Sequence, residues 1–459
     1  MLNNLGNSHL RRFEHTGDLQ DIDHAISLHR SAVESTPSGH TDLPSQLNNL
    51  GVSYACRFQC TGNLHDIDDA ISHQQSAVES TPFGHADLPS WINSLGLSYG
   101  YHFKSTGTLQ DIDHSIFHHQ HAVESTPPGH ATLPSWFTNL GNSYAHRFQS
   151  SHYFPDIQRS IVSYRQGAEA NGAPSTRLYA ARHAARLSSV HDISQCLTDF
   201  ALAISLLSEV AGLEQTIHRR HVNLHGRSDF VRSAVATALR LNGMDLALEW
   251  LHQGRCLAWN QFNQLRISID NLHLRSSSLA DRFLKVARAL EFHGARPLST
   301  LSPYSTFMED IRVQDATRNH TILAGEYKQL LKEIRCLPDF HDFLKPCSAT
   351  NLLSLLPSSG PVVIFNVDET RCDALALIYG IREPLHITLE NFSLVQAEQL
   401  QKALQSNLLE QRDAGDGERA GHRARTNITL MEFVLKELWY KVIHPVLEAL
   451  GYSVSSVEH

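Results

Sequence analysis

The chain has 459 residues, 41% hydrophobic and 19% charged; that balance builds sizeable cores without disulfide or metal staples and excludes wholesale disorder. A formal net charge of -9 gives no general attraction to phosphate backbones, so nucleic acid is not an expected partner. Seven cysteines without a CxxC pair, no secretory signal and no apolar run of about 18 residues point to a soluble, reduced, cytoplasmic protein without membrane contact.

Offsetting the chain against itself by 45 residues superimposes Leu5-Gly6, Leu50-Gly51, Leu95-Gly96 and Leu140-Gly141. Thr16-Gly17, Thr61-Gly62 and Thr106-Gly107 coincide as well, as do Asp21-Ile22-Asp23, Asp66-Ile67-Asp68 and Asp111-Ile112-Asp113. The string AVESTP returns at Ala32, Ala77 and Ala122, and a weaker fourth copy keeps Tyr144, Arg147-Phe148, Asp156-Ile157 and Ile161. Repetition at such a period predicts an α-solenoid over residues 1–166.

Within one unit Pro89 opens a helix whose Trp91, Ile92, Leu95, Tyr99 and Phe103 share a buried stripe. Thr-Gly breaks it. The Asp that follows is expected to receive the free N–H groups of the next helix, which buries Ile67, Ala70, Ile71, Ala77 and Val78. Gly51 and Ala70 permit the two helices to approach closely. Thr-Pro then closes the unit, and the loop histidines His40, His85 and His130 are read as turn-stabilising.

Residues 167–350 read as a helical connector without a clean period. Asn242 to Arg266 looks like one more degenerate unit, with Leu246, Ala247, Trp250 and Leu251 on one face. Ser-rich Arg275–Ser278 and the stretch Pro297–Pro303 are expected loops. From 351 the character changes. Val362–Val367, Ala374–Tyr379 and Leu385–Leu389 predict three strands of a β-meander or sheet edge. Helices follow at Ser393–Leu409 and Thr429–Leu450, the second with a kink expected at Pro445.

The Leu-Gly-x-x-Tyr of the first helix and the Ala-x6-Ala-x4-Pro of the second resemble the tetratricopeptide repeat, in a variant whose period exceeds the usual 34 by eleven residues, expected at the two turns. The strings GPVVIFNVDETRCDALAL from Gly360, LKELWYKVIHPVLEALGY from Leu435 and EWLHQGRCLAWNQFNQLR in the connector resemble fungal proteins that carry a CHAT domain, a caspase-like cysteine-peptidase fold, after such repeats. The resemblance implies a mainly α chain ending in a partial α/β domain over 351–459. It also implies a catalytic His and Cys in ACHG-like and SAC-like strings, neither of which occurs. The chain stops after Gly451-Tyr452 and a short polar tail, and it starts within a first helix, so the expectation is a truncated or degenerate member.

Candidate residues are few. Cys372 stands outside the family's catalytic string and is read as a structural thiol. His114 and His118 are four apart with Asp111 before them, and His218, His221 and His225 form a second group, yet neither supplies the converging ligands of a zinc site; solvated helix faces are expected, as for the basic run His218-Arg219-Arg220-His221. Asn4, Asn49, Asn139 and Asn142, with Asn7, recur on the first helices, where their amides suit the backbone of an extended peptide; hydrogen bonding between helices is the favoured alternative. No phosphate loop, HExxH or GxSxG occurs, so neither metal nor cofactor is expected. The sequence therefore predicts an interaction scaffold for a protein or peptide, with no oligomeric state fixed. The competing readings are a fragment of a caspase-like cysteine peptidase and a histidine-rich metal buffer.

Overall fold

Proline and glycine place the helix boundaries where the pattern requires them. The computed structural model describes residues 1–82, 84–210, 228–255, 269–295, 322–323, 325–341, 343–344, 348–413 and 430–452. It divides into two units, Met1–Leu206 and Leu207–His459. The connector residues 256–266, the stretch Pro297–Pro303 and the group His218, His221 and His225 lie outside the described residues.

The first unit is a succession of helix pairs: α1 Leu2–Thr16 with α2 Leu19–Glu34, α3 Leu43–Thr61 with α4 Leu64–Glu79, α5 Leu88–Thr106 with α6 Leu109–Glu124, and α7 Leu133–Ser151 with α8 Phe154–Glu169. Each helix packs on the next, and α1, α3, α5, α7 and α9 (Pro174–His191) also touch in series. Helix α10 spans Ile193–Val210. Proline in the first turn of α3, α5 and α7 lacks only an N–H that had no intrahelical partner. Gly62 (φ 70°) and Gly107 (φ 73°) end α3 and α5 in the left-handed region, where a side chain is strained. In the fourth copy that place belongs to His152, at φ 56°.

Ile22, Ile67, Ile112 and Ile157 are all buried where the paired helices meet. The glycine of the first helix is sterically required: a Cβ on Gly51 would stand 2.6 Å from Gln74 Cγ and 2.9 Å from the Ala70 carbonyl oxygen. Two expectations need correction. The additional residues of the long repeat do not all enlarge turns, since only Gly62 and Asn63 separate α3 from α4. Seven residues added between Gly and Ala lengthen each arm of the hairpin by about one turn, which keeps the buried stripe in phase. Nor does the recurring Asp cap the second helix. The cap residues are Asp18 and Asn63, which accept from the backbone N–H groups of Gln20 and His65, and the recurring Asp lies inside the first turn.

In the second unit, α11 (Ser228–Arg240) packs on α12 (Met244–Arg255). Within the degenerate unit, Ala247, Trp250 and Leu251 are buried as expected. The Ser-rich break is a single residue, Ser276, between α13 (Asp270–Arg275) and α14 (Ser277–Ala295), whose Leu272, Phe283 and Leu290 form a core with Tyr327 and Leu330 of the helix α15, 325–335. After α16 (Ala349–Ser354) come β1 Val362–Val367, β2 Cys372–Leu377 and β3 Leu385–Thr388, an antiparallel sheet in the order β1-β2-β3. Strand β2 thus begins two residues before the expected one. The β1–β2 turn is set by Asp368, whose carboxylate accepts from the Thr370 N–H and hydroxyl.

One face of the sheet, with Cys372, Ala374 and Ala376, packs on α17 (Leu394–Asp413) and on Val442 and Val446 of the last helix. The other, with Ile364 and Leu377, packs on Leu248 of α12 and Ala349 of α16. The last helix, α18, runs 430–449 and widens into a π turn at Trp439–Ile443 ahead of Pro445. A proline without an N–H is accommodated there by slipping the hydrogen-bond register. Among the described residues no helix is long and apolar enough to cross a membrane.

Candidate functional site

Four of the predicted asparagines are occupied by other side chains of the repeats. Asn49 Nδ2 donates to Asn3 Oδ1 at 3.2 Å, and Asn139 Nδ2 to Asn93 Oδ1 at 2.9 Å, each pair 46 residues apart and so joining one copy to the next. Asn142 Oδ1 accepts from the Tyr164 hydroxyl at 2.6 Å. Asn7 Oδ1 lies 3.1 Å from His29 Nε2. Asn4 is exposed. For Asn49 and Asn139 this is the bonding between helices that the sequence favours, made here from one copy to the next.

The second helices contribute residues that contact the glycines. His29, Gln74, His119 and Tyr164 occupy one repeat position and cover Gly6, Gly51, Gly96 and Gly141. His119 is 1% exposed, with Nδ1 3.1 Å from Asn93 Oδ1, and burial pushes it down to about 3. Burial also lowers His29. His114 and His118 are not on a solvated face: both are half-buried against Tyr99, with the His118 ring stacked at 5.6 Å. Burial, then the nearby His114 and His121, take His118 down to about 4. The loop histidines behave as expected, since His40, His85 and His130 Nδ1 accept from the backbone N–H two residues later.

The feature that sequence reading missed is an ion-pair series. The buried Asp21, Asp66 and Asp156 each receive a two-pronged guanidinium from Arg12, Arg57 and Arg147, nine residues earlier on the preceding helix. Arg12 as a hydrogen-bond donor draws Asp21 down to about 2. The signal was available: Arg12, Arg57 and Arg147 obey the same 45-residue offset as the aspartates, although sequence alone does not say that a carboxylate in a first turn turns inward. Arg57 and Arg147 also bond Asp23 and Asp113 of the preceding copy. Arg165 of α8 extends the theme to Asp192 and Asp199.

His9, Asp21 and His24 bring three ligand atoms within 4.8 Å of one another. Arg12 already donates to both oxygens of Asp21. A divalent ion there would face a guanidinium across the same carboxylate, so charge repulsion weighs against a metal.

In the second unit the tempting nucleophile has the wrong surroundings. Cys372 is 3% exposed, and burial pushes its thiol up, the opposite of what activates a thiolate. A histidine–carboxylate pair does stand nearby: His386 Nε2 is 2.8 Å from Asp373 Oδ1, and Arg371 grips both oxygens of that buried Asp. Side chains alternate along β2, however, and His386 is registered opposite Leu375, so imidazole and carboxylate share the face away from Cys372. The sheet separates the thiol from the imidazole. Beside the edge strand β1 lies a cavity of about 560 Å³, lined by Arg232, Val363, Phe365, Leu394, Ala397 and Gln401.

Half-exposed apolar residues form the remaining pattern. Leu19, Leu64, Leu109 and Phe154 begin the four second helices and are 46%, 45%, 50% and 56% exposed. Phe117 and Val162 repeat the habit further along α6 and α8. No family model matches the chain, and no curated protein is significantly similar to it.

Proposed function

We propose that the chain is a protein–protein interaction scaffold in which the four helix pairs stack as a solenoid of tetratricopeptide-like hairpins and offer one continuous side to a protein or peptide. The observation that carries this reading is the recurrence of exposed Leu19, Leu64, Leu109 and Phe154 at one repeat position. Scattered surface leucines need no explanation, but an apolar side chain kept half in water at the same place in every copy gives a partner a regular series of anchors. Asn49 and Asn139 then act within the stack, holding one copy to the next, while Asn4 is exposed. The C-terminal sheet region serves as a caspase-like remnant in which, among the described residues, Cys372 and His386 lie on opposite faces of the sheet. A reducing, cytoplasmic setting suits the cysteines Cys56, Cys60, Cys336 and Cys372, which form no disulfide.

The test compares proteins that co-purify with three full-length forms: wild type, L19S/L64S/L109S, and N49A/N139A. The serine variant, checked by circular dichroism for an intact helical signal, is expected to lose the specific partners. Retention of the same partners at the same level by the serine variant sinks the assignment of that surface.

A further inference from the structure

The four copies permit a comparison at the residue nine positions before the recurring Asp. In the second copy Arg57 holds Asp66 through Nε at 2.9 Å and Nη2 at 2.6 Å, and extends Nη1 to Asp23 at 2.8 Å. The fourth copy repeats this: Arg147 holds Asp156 at 2.7 and 2.6 Å and reaches Asp113 at 2.6 Å. The third copy has His102 in that place. Its Nδ1 lies 2.7 Å from Asp111 Oδ2, and its Nε2 lies 3.5 Å from Asp68 Oδ1 of the preceding copy. The surroundings match closely, since the central side chains are 27%, 21% and 22% exposed and the outer aspartates 59%, 60% and 58%.

The chemistry differs in one respect. A guanidinium keeps its charge and its fork of donors at every pH a protein survives. A neutral imidazole carries one N–H and one lone pair, so between two carboxylates it can donate to one and must turn a lone pair toward the other. The imidazolium has two N–H groups and a positive charge, and it then does what Arg57 and Arg147 do.

We propose that His102 makes the contact between the second and third copies a pH-sensitive joint, closed when the imidazole is protonated and loosened when it is neutral, while the joints at Arg57 and Arg147 stay closed. The groups facing His102 are Asp68 from α4 and Asp111 from α6. On the other helices packed against α5, Cys56 of α3 faces Tyr101 and His146 of α7 faces Lys104. The contribution belongs to the imidazolium, the form whose two N–H groups can both be accepted by the facing carboxylates of Asp68 and Asp111.

The experiment is thermal unfolding of the full chain and of His102→Arg at about pH 5.5 and about pH 8, on either side of the imidazole range. Arg occupies this position in the neighbouring copies, so the substitution fits. Differences between the two proteins cancel the titration of the remaining histidines. His102→Arg is expected to raise Tm by about 2–4 °C at the higher pH and to leave it unchanged at the lower. An equal difference at both pH values, or none at the higher, overturns the proposal. Asp68→Asn, on an exposed side chain, serves as the second variant. In its background the gain from His102→Arg at high pH should shrink by at least half; an undiminished gain would show that the effect does not act between copies and would also overturn the proposal.

Discussion

Buried carboxylates occur in both units, and they are neutralised in different ways. In the sheet, Asp373 of β2 takes its counter-charge from Arg371, two residues earlier at the end of the β1–β2 turn, and lies within hydrogen-bond distance of His386 on the neighbouring strand β3. In the repeats, Asp66 and Asp156 take theirs from the preceding helix, and the same guanidinium reaches back 34 residues to Asp23 or Asp113. The sheet arrangement secures one local turn. The repeat arrangement makes each copy's internal ion pair part of its contact with the copy before it.

The largest expected effect tests that contrast directly. Asp66→Ala leaves Arg57 facing a desolvated hole and should cost about 3–5 kcal/mol in chemical denaturation, with faster amide exchange in α2 as well as in α3 and α4. Asp373→Ala should cost a similar amount but confine the exchange to the strands. Equal spreading in the two variants would erase the distinction. A smaller effect, of about 1–3 kcal/mol, is expected from the buried His119. Its pKa is lowered in the folded protein to about 3, so the unfolded chain takes up the proton first. Stability is therefore full above the ordinary imidazole value and lost as the pH falls from about 6.5 toward 4. His119→Gln, which installs the residue found at Gln74, should remove that acid sensitivity; an unchanged pH profile would assign it elsewhere. The smallest effect should come from His152→Gly, which places glycine at φ 56° as in the other copies and should stabilise by about 0.5–1 kcal/mol. A loss of Tm there would mean that the His152 contact with Phe148 outweighs the backbone strain.

Much of the fold is legible in the residues. Pro89, Thr106-Gly107 and the run of Ile22, Ile67 and Ile112 define helix boundaries and buried faces, because those signals act through the backbone within a turn or two of where they are written. The three strands and both late helices could be read for the same reason, with errors of a few residues at their ends. The register of Cys372 against His386 could not, since it depends on which strands pair and in what alignment. The asparagine reading shows the same limit. Periodicity put Asn49 and Asn139 on one face, but only the packing of successive first helices decides whether an amide meets a peptide or the next asparagine.

The sequence by itself determined the helix pairs, their count and their period, because propensity, capping and apolar spacing are local properties repeated every 45 residues. Tertiary structure alone decided what the polar residues among them do. A carboxylate in a first turn became half of an ion pair rather than a cap, and a histidine came to stand where its neighbours have arginine between two aspartates. Such roles depend on distances across 9 and 34 residues, which are set by how the helices lie against one another and leave no mark in the pattern of any one of them.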